Sequence, residues 1–227
     1  MILRLSLGAA LALTTAWPAL AEMNFNRIAS FATPDNIAEG EDRGRETSAE
    51  IIAASEDGMT LVYTDSPLGA IGLVDISDAR APKPLGTVAM GGEPTSVTVI
   101  GAKALVAVNT SADYINTSGR LAVVDLATQT ELASCDLGGQ PDSVARAKDG
   151  SFVAVAIENE RDEELNDGAL PQMPAGFVVK LPLKDGMPDC AAAQRIEMTG
   201  LADVAGDDPE PEFVDVNELG EIVVTMQ

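Results

Sequence analysis

Six carboxylates fall within eleven residues in the run Glu158-Asn-Glu-Arg-Asp-Glu-Glu-Leu-Asn-Asp-Gly168. At that density the charges repel one another unless water screens them or a cation bridges them. Hard oxygen donors suit Ca2+, which takes about 6–8 oxygens and accepts carboxylates and carbonyls from one flexible loop. Glu158, Glu160, Asp162 and Asp167 are the candidate ligands. The Leu165-Asn-Asp-Gly168 turn is compatible with such a loop, although the spacing is not that of an EF-hand. The competing reading is a solvated acidic loop, the usual fate of a charge run. A second set of acids and hydroxyls recurs at intervals: Thr47, Ser48 and Glu50; Glu93, Thr95 and Ser96; Asp142 and Ser143; Glu210 and Glu212. If the fold gathers Glu50, Asp142, Glu210 and Glu212 at one mouth, they can hold a cation or act as general acid and base on an ester. Alternatively these links cap strand starts through local side-chain to backbone hydrogen bonds.

Composition removes much other chemistry. The chain has 227 residues and no histidine, which excludes the Ser-His-Asp triad, the Cys-His dyad and His-ligated metals. Ser111 and Ser118 have no base to activate them. With 14 Lys plus Arg against 36 Asp plus Glu, the net charge is −22, a field that repels nucleic acid and anionic lipid. A phosphate substrate wants basic donors, and only Arg43, Arg45, Arg161 and Lys148 lie near the recurring links.

Residues 1–21 read as a secretory signal: Arg4, an apolar run from Leu5 to Ala16, and Ala19-Leu-Ala21 as a small-x-small cleavage site. The apolar run is too short to span a bilayer, which needs about 20 residues. The expectation is an exported protein, periplasmic or secreted, starting near Glu22. In an oxidising compartment Cys135 and Cys190, 55 positions apart, either form one disulfide or remain two buried thiols.

The acids belong to a repeat. Gly92-Glu-Pro-Thr-Ser-Val97, Gly139-Gln-Pro-Asp-Ser-Val144 and Pro209-Glu-Pro-Glu-Phe-Val214 align, with prolines at 94, 141 and 211 and a weaker copy at Thr47-Ser-Ala-Glu50. Short Val/Ile/Leu-rich runs follow each link, bounded by Gly, Asp and Pro, with Asp57-Gly58 and Asp149-Gly150 marking hairpin turns. Four antiparallel strands recurring at about 47 residues predict an all-β chain of β-propeller blades; a β-sandwich is the rival. The blades fall at approximately 47–90, 94–137 and 141–199, with the start of another at 209–227, so a domain over 22–227 holds about three and a half blades of an incomplete ring. Residues 25–31 read as a leading strand. Because closure takes about four to eight blades, the expectation is the front part of a longer protein. The partners are then missing C-terminal blades or a second copy of the chain.

The runs Thr64-Asp-Ser-Pro-Leu-Gly69, Gly91-Gly-Glu-Pro-Thr-Ser96, Cys135-Asp-Leu-Gly-Gly-Gln-Pro-Asp-Ser143, Ala156-Ile-Glu-Asn-Glu-Arg-Asp162 and Asp208-Pro-Glu-Pro-Glu-Phe213 resemble exported bacterial phytase-like proteins with esterase-like activity. The resemblance covers roughly residues 25–227. It implies a YVTN-type propeller followed by a phytase-like domain, some members being labelled alkaline phosphatase, and a family sequence that continues beyond Gln227. The leading expectation is a non-catalytic propeller scaffold that binds Ca2+ or a partner of unspecified kind, small molecule or protein. The alternative is a Ca2+-dependent phosphoric-ester or carboxylic-ester hydrolase using acids such as Glu50, Asp142, Glu158, Glu160, Glu210 and Glu212, its site completed by further sequence.

Overall fold

The computed structural model describes residues 26–227. The signal expected over residues 1–21 lies outside the described residues. Two four-stranded antiparallel sheets, a five-stranded one and a two-stranded one follow in chain order. The first contains β1 (Ala49–Ala54), β2 (Thr60–Asp65), β3 (Ala70–Asp75) and β4 (Lys83–Ala89). The second contains β5 (Glu93–Ile100), β6 (Lys103–Asn109), β7 (Gly119–Asp125) and β8 (Thr130–Asp136). The third is built from β9 (Pro141–Arg146), β10 (Phe152–Ile157) and β11 (Phe177–Lys184), extended by β12 (Met187–Pro188) and closed by β13 (Gln194–Glu197) against β11. Then β14 (Pro211–Val216) pairs with β15 (Ile222–Met226). The first strands β1, β5, β9 and β14 run side by side from sheet to sheet. This is an all-β, incomplete β-propeller ring of four-stranded antiparallel blades. Among the described residues no helix is long and apolar enough to cross a membrane.

Side chains of a strand alternate between its two faces, and in a propeller both faces of an inner blade are covered. The second blade shows why its strands read as unbroken apolar runs. Leu105, Ala107, Leu121 and Val123 face the third blade, while Ala104, Val106, Val108, Ala122 and Val124 face the first. Phe152, Ala154, Ala156 and Val178 turn the third blade's other face toward Val214 and Val216. Hairpin turns sit at Gly58 and Gly150, whose φ of 71° and 72° is the left-handed region that favours glycine.

The recurring hydroxyls fasten blade to blade. Ser96 Oγ accepts the amide of Val144 in the next blade (3.1 Å), and Ser143 Oγ accepts that of Val214 (3.2 Å). Thr95 Oγ1 donates to the carbonyl of Pro141 (3.0 Å). Ser96 and Ser143 are buried, so these groups are non-local staples rather than local caps or nucleophiles. Cys135 in β8 and Cys190 in the excursion after β12 form a disulfide with Cα atoms 5.3 Å apart, tying the second blade to the third.

Residues 26–32 are not a strand, contrary to the leading strand expected over 25–31. The stretch instead runs beside the first blade, where Ile28 and Phe31 line an apolar groove together with Ile52, Leu61 and Tyr63. Asn36 anchors it: its amide donates to Tyr63 Oη (3.0 Å) and to the Leu73 carbonyl (2.9 Å), and its oxygen accepts the Gly86 amide (3.0 Å). Gly72 makes room for this arrangement, since a Cβ there would stand 2.1 Å from Tyr63 Cζ.

Candidate functional site

The link between β10 and β11 is far longer than its counterparts, and it folds back over the end of its own blade. Asn159 secures the fold-back with φ at 52°, its oxygen accepting the Gln140 amide (2.9 Å) and its amide donating to the Ala175 carbonyl (3.0 Å). It is buried, so within Glu158-Asn-Glu-Arg-Asp162 the asparagine is structural. Gln172 holds the far side, accepting from the Asp162 amide and donating to its carbonyl, both at 3.0 Å. The backbone N–H of Gln172 in turn donates to the Asp208 carboxylate (2.6 Å).

The two distinctive acidic runs of the sequence meet here. Arg161 forms an ion pair with Glu210, and its backbone amide donates to Glu210 Oε1 (2.7 Å). The side chains are 16% and 5% exposed, so the pair is largely withdrawn from water. The Arg161 guanidinium also reaches the carbonyl of Gln227 (3.4 Å).

Beside this pair opens a cleft of about 670 Å³ between the links of successive blades. Glu93 comes from the second blade, Asp142 from the start of the third, Glu158, Glu160, Glu163 and Asp167 from the long link, and Glu210 and Glu212 from the fourth sheet. Arg161 is the only basic residue among the described residues that line it, so eight carboxylates face one guanidinium that Glu210 already engages. Burial, reinforced by Glu212, Glu160 and Glu93, pushes Asp142 up to about 6. Burial, reinforced by Asp142, Glu160 and Glu212, pushes Glu158 up to about 7 against the opposing pull of Arg161. Acids raised this way bind protons more tightly when folded, so the stability linked to them is full below the ordinary carboxylate range. It is lost as the pH rises through about 6 to 7.

The structure therefore brings Glu158, Glu160 and Asp167 of the acidic run together with Asp142, Glu210 and Glu212 of the recurring links. It leaves two candidates outside. Asp162 faces the adjoining groove, and its carboxylate accepts the Glu164 amide (3.0 Å). Glu50 is exposed, accepts a hydrogen bond from Ser66 (2.8 Å) and lines the inner channel near Lys148 and Phe213. The acids that do converge are spread around the walls: among the described residues no three carboxylates are gathered tightly enough to hold a single ion. Gln140 and Gln172, absent from the candidates that the sequence offers, also line the cleft, the former donating to Glu160 (3.2 Å). Gln140 lay in the repeated Gly-Gln-Pro-Asp-Ser link, where a polar residue beside each proline was the available signal.

A family model described as Choice-of-anchor I domain matches residues 50–208, more than half of the chain and inclusive of the first three blades from Glu50 onward. No curated protein matches the chain. Among solved structures, hydrazine synthase of Kuenenia stuttgartiensis is similar at 14% identity and a TM-score of 0.46, over 78% of this chain and 61% of that one. The chain thus spans less than two thirds of the length of that structure.

Proposed function

This chain belongs to the choice-of-anchor I domain family, and from that premise we propose that it is an exported β-propeller scaffold whose acidic cleft binds cations, with Ca2+ as the candidate ion. Choice-of-anchor domains occur in exported, cell-surface-anchored bacterial proteins. The Cys135–Cys190 disulfide fits an oxidising compartment. The observation that carries the ligand is the convergence of eight carboxylates from three consecutive sheets on one cleft, with one paired guanidinium to offset them. Asp142, Glu158, Glu160 and Glu212 are the residues that would hold the ion, and because they stand apart they would hold it loosely. Affinity is then modest.

Thermal unfolding against Ca2+ tests this reading. A ligand of the native state stabilises it in proportion to the logarithm of its concentration: for a Kd near 1 mM, about 10 mM Ca2+ adds roughly 1.4 kcal/mol. In a domain of this size that raises Tm by about 3–5 °C. Asp142→Asn combined with Glu158→Gln abolishes the rise, whereas Glu50→Gln, outside the cleft, retains it. A midpoint that ignores Ca2+, or a rise unchanged in the double variant, overturns the reading.

A second reading makes the same cleft the site of a Ca2+-dependent phosphoric-ester or carboxylic-ester hydrolase of the phytase-like kind. One observation favours it: Asp142 at about 6 and Glu158 at about 7 are poised to exchange protons near neutrality. The scaffold reading stands ahead because Arg161, the cleft's basic group among the described residues, is committed to Glu210 and leaves little to hold a phosphate. Release of nitrophenol from nitrophenyl phosphate or acetate, lost in Glu158→Gln, would reverse that order.

A further inference from the structure

We infer that the acidic cleft and the apolar groove beside it form one docking surface for a peptide segment in which apolar side chains are followed by Lys or Arg. This rests on the reading of the cleft as a cation site and names the cation's carrier. The groove, about 410 Å³, lies between the link joining β6 to β7 and the long link of the third blade. Tyr114 and Ile115 line one wall, Leu165 and Met173 the other, and Glu160, Arg161 and Gln172 border both the groove and the cleft, so the two are continuous. Ile115 is 70% exposed, Met173 59%, and Tyr114 and Leu165 46% each. Single exposed apolar side chains are ordinary. Four that line one groove from two blades form a patch of the kind that marks an interaction site.

The walls are preformed. Asp113 accepts the amides of Ile115 (2.9 Å) and Asn116 (2.7 Å), Ser111 donates to the Ser118 carbonyl (3.2 Å), and Gln172 pins the opposite link through Asp162. A partner therefore need not order either loop, which lowers the entropic cost of docking. The Tyr114 phenol titrates above its ordinary value, chiefly because of Glu160, so the aromatic wall lies within the field of the cleft.

Charge and size select the occupant. The net charge of −22 and the acid-lined cleft repel a nucleic acid or an anionic membrane surface. A hydrated ion occupies only part of the 670 Å³, and acids spread over the walls leave room for a larger ligand that carries several positive charges. Two or three ammonium or guanidinium groups on flexible stems reach carboxylates spread over the walls, and the apolar groove accepts the neighbouring side chains.

The test uses the purified protein and a fluorescein-labelled peptide, Gly-Leu-Leu-Gly-Lys-Arg-Lys-Gly, followed by fluorescence anisotropy at low salt. Replacing both leucines by serine weakens binding about fivefold or more, as loss of partly buried apolar surface requires. Raising the ionic strength from about 0.05 to 0.3 M weakens it about tenfold, because rim charges are screened. Ile115→Ser with Met173→Ser, both on exposed positions, reproduces the first loss; Glu160→Gln with Glu212→Gln reproduces the second. Equal binding of the serine peptide, or indifference to the Ile115 and Met173 changes, overturns the joint surface and leaves only a cation cleft. Failure of the leucine peptide while the Ca2+ shift persists sinks this proposal alone. A peptide that binds without any Ca2+ shift sinks the Ca2+ reading alone.

Discussion

Replacing Arg161 by alanine is expected to lower the thermal midpoint by roughly 5–10 °C, equivalent to about 3 kcal/mol in a domain of this size. The guanidinium is 16% exposed and its partner Glu210 only 5%, so its removal strands a buried carboxylate among seven other acids of the same cleft. Breaking one side of a buried pair costs more than the pair contributes, because the remaining charge is left desolvated. Exchange of both partners, Arg161→Met with Glu210→Leu, therefore recovers most of the loss. The backbone amide of Arg161 also donates to Glu210, so the double variant keeps a residual deficit. A single variant within about 1 kcal/mol of the parent would mean that the long link is not fastened to the fourth sheet through this pair, since exposed ion pairs contribute no more than that.

Loss of the Cys135–Cys190 bond has the other large effect. The crosslink spans 55 residues and joins two blades, and closing a loop of that length removes denatured-state entropy equivalent to about 4 kcal/mol in the chain-entropy account. Cys135 is buried in the apolar layer between the second and third blades. Cys135→Ala with Cys190→Ala is thus expected to unfold at a lower denaturant midpoint, and reduced parent protein to fall close to the same value. An unchanged midpoint in both would contradict a structural role for the bond.

The blades were legible because their physics is local. Each strand is a short run of Val, Ile, Leu and Ala with a turn signal at its end, and the quartets repeat. Runs such as Ala104 to Val108 lack alternation because both faces are covered by neighbouring blades. The site was less legible because its geometry is set by how one blade sits against the next. Arg161 and Glu210 are 49 residues apart, and the Ser143 hydroxyl reaches an amide 71 residues on. Two sets of acids that read as separate features in sequence share one cleft because the long link lies over the starts of the adjoining blades. The same geometry sends Asp162 to the groove and Glu50 to the inner channel, although each sits beside residues that line the cleft or matches their pattern. The stretch after residue 25 failed as a strand because Asn36 ties it to the blade face through Tyr63, Leu73 and Gly86.

Calorimetric titration of Ca2+ at pH 6 and pH 8, each in two buffers of different ionisation heat, tests the cation cleft most directly. At pH 6 Glu158, at about 7, is mostly protonated and Asp142, at about 6, is half protonated. A bound cation favours both carboxylates in their ionised form. Binding is therefore expected to release between about one and two protons per ion at pH 6 and about none at pH 8. Binding that releases no proton at pH 6, or no binding at either pH, would contradict it.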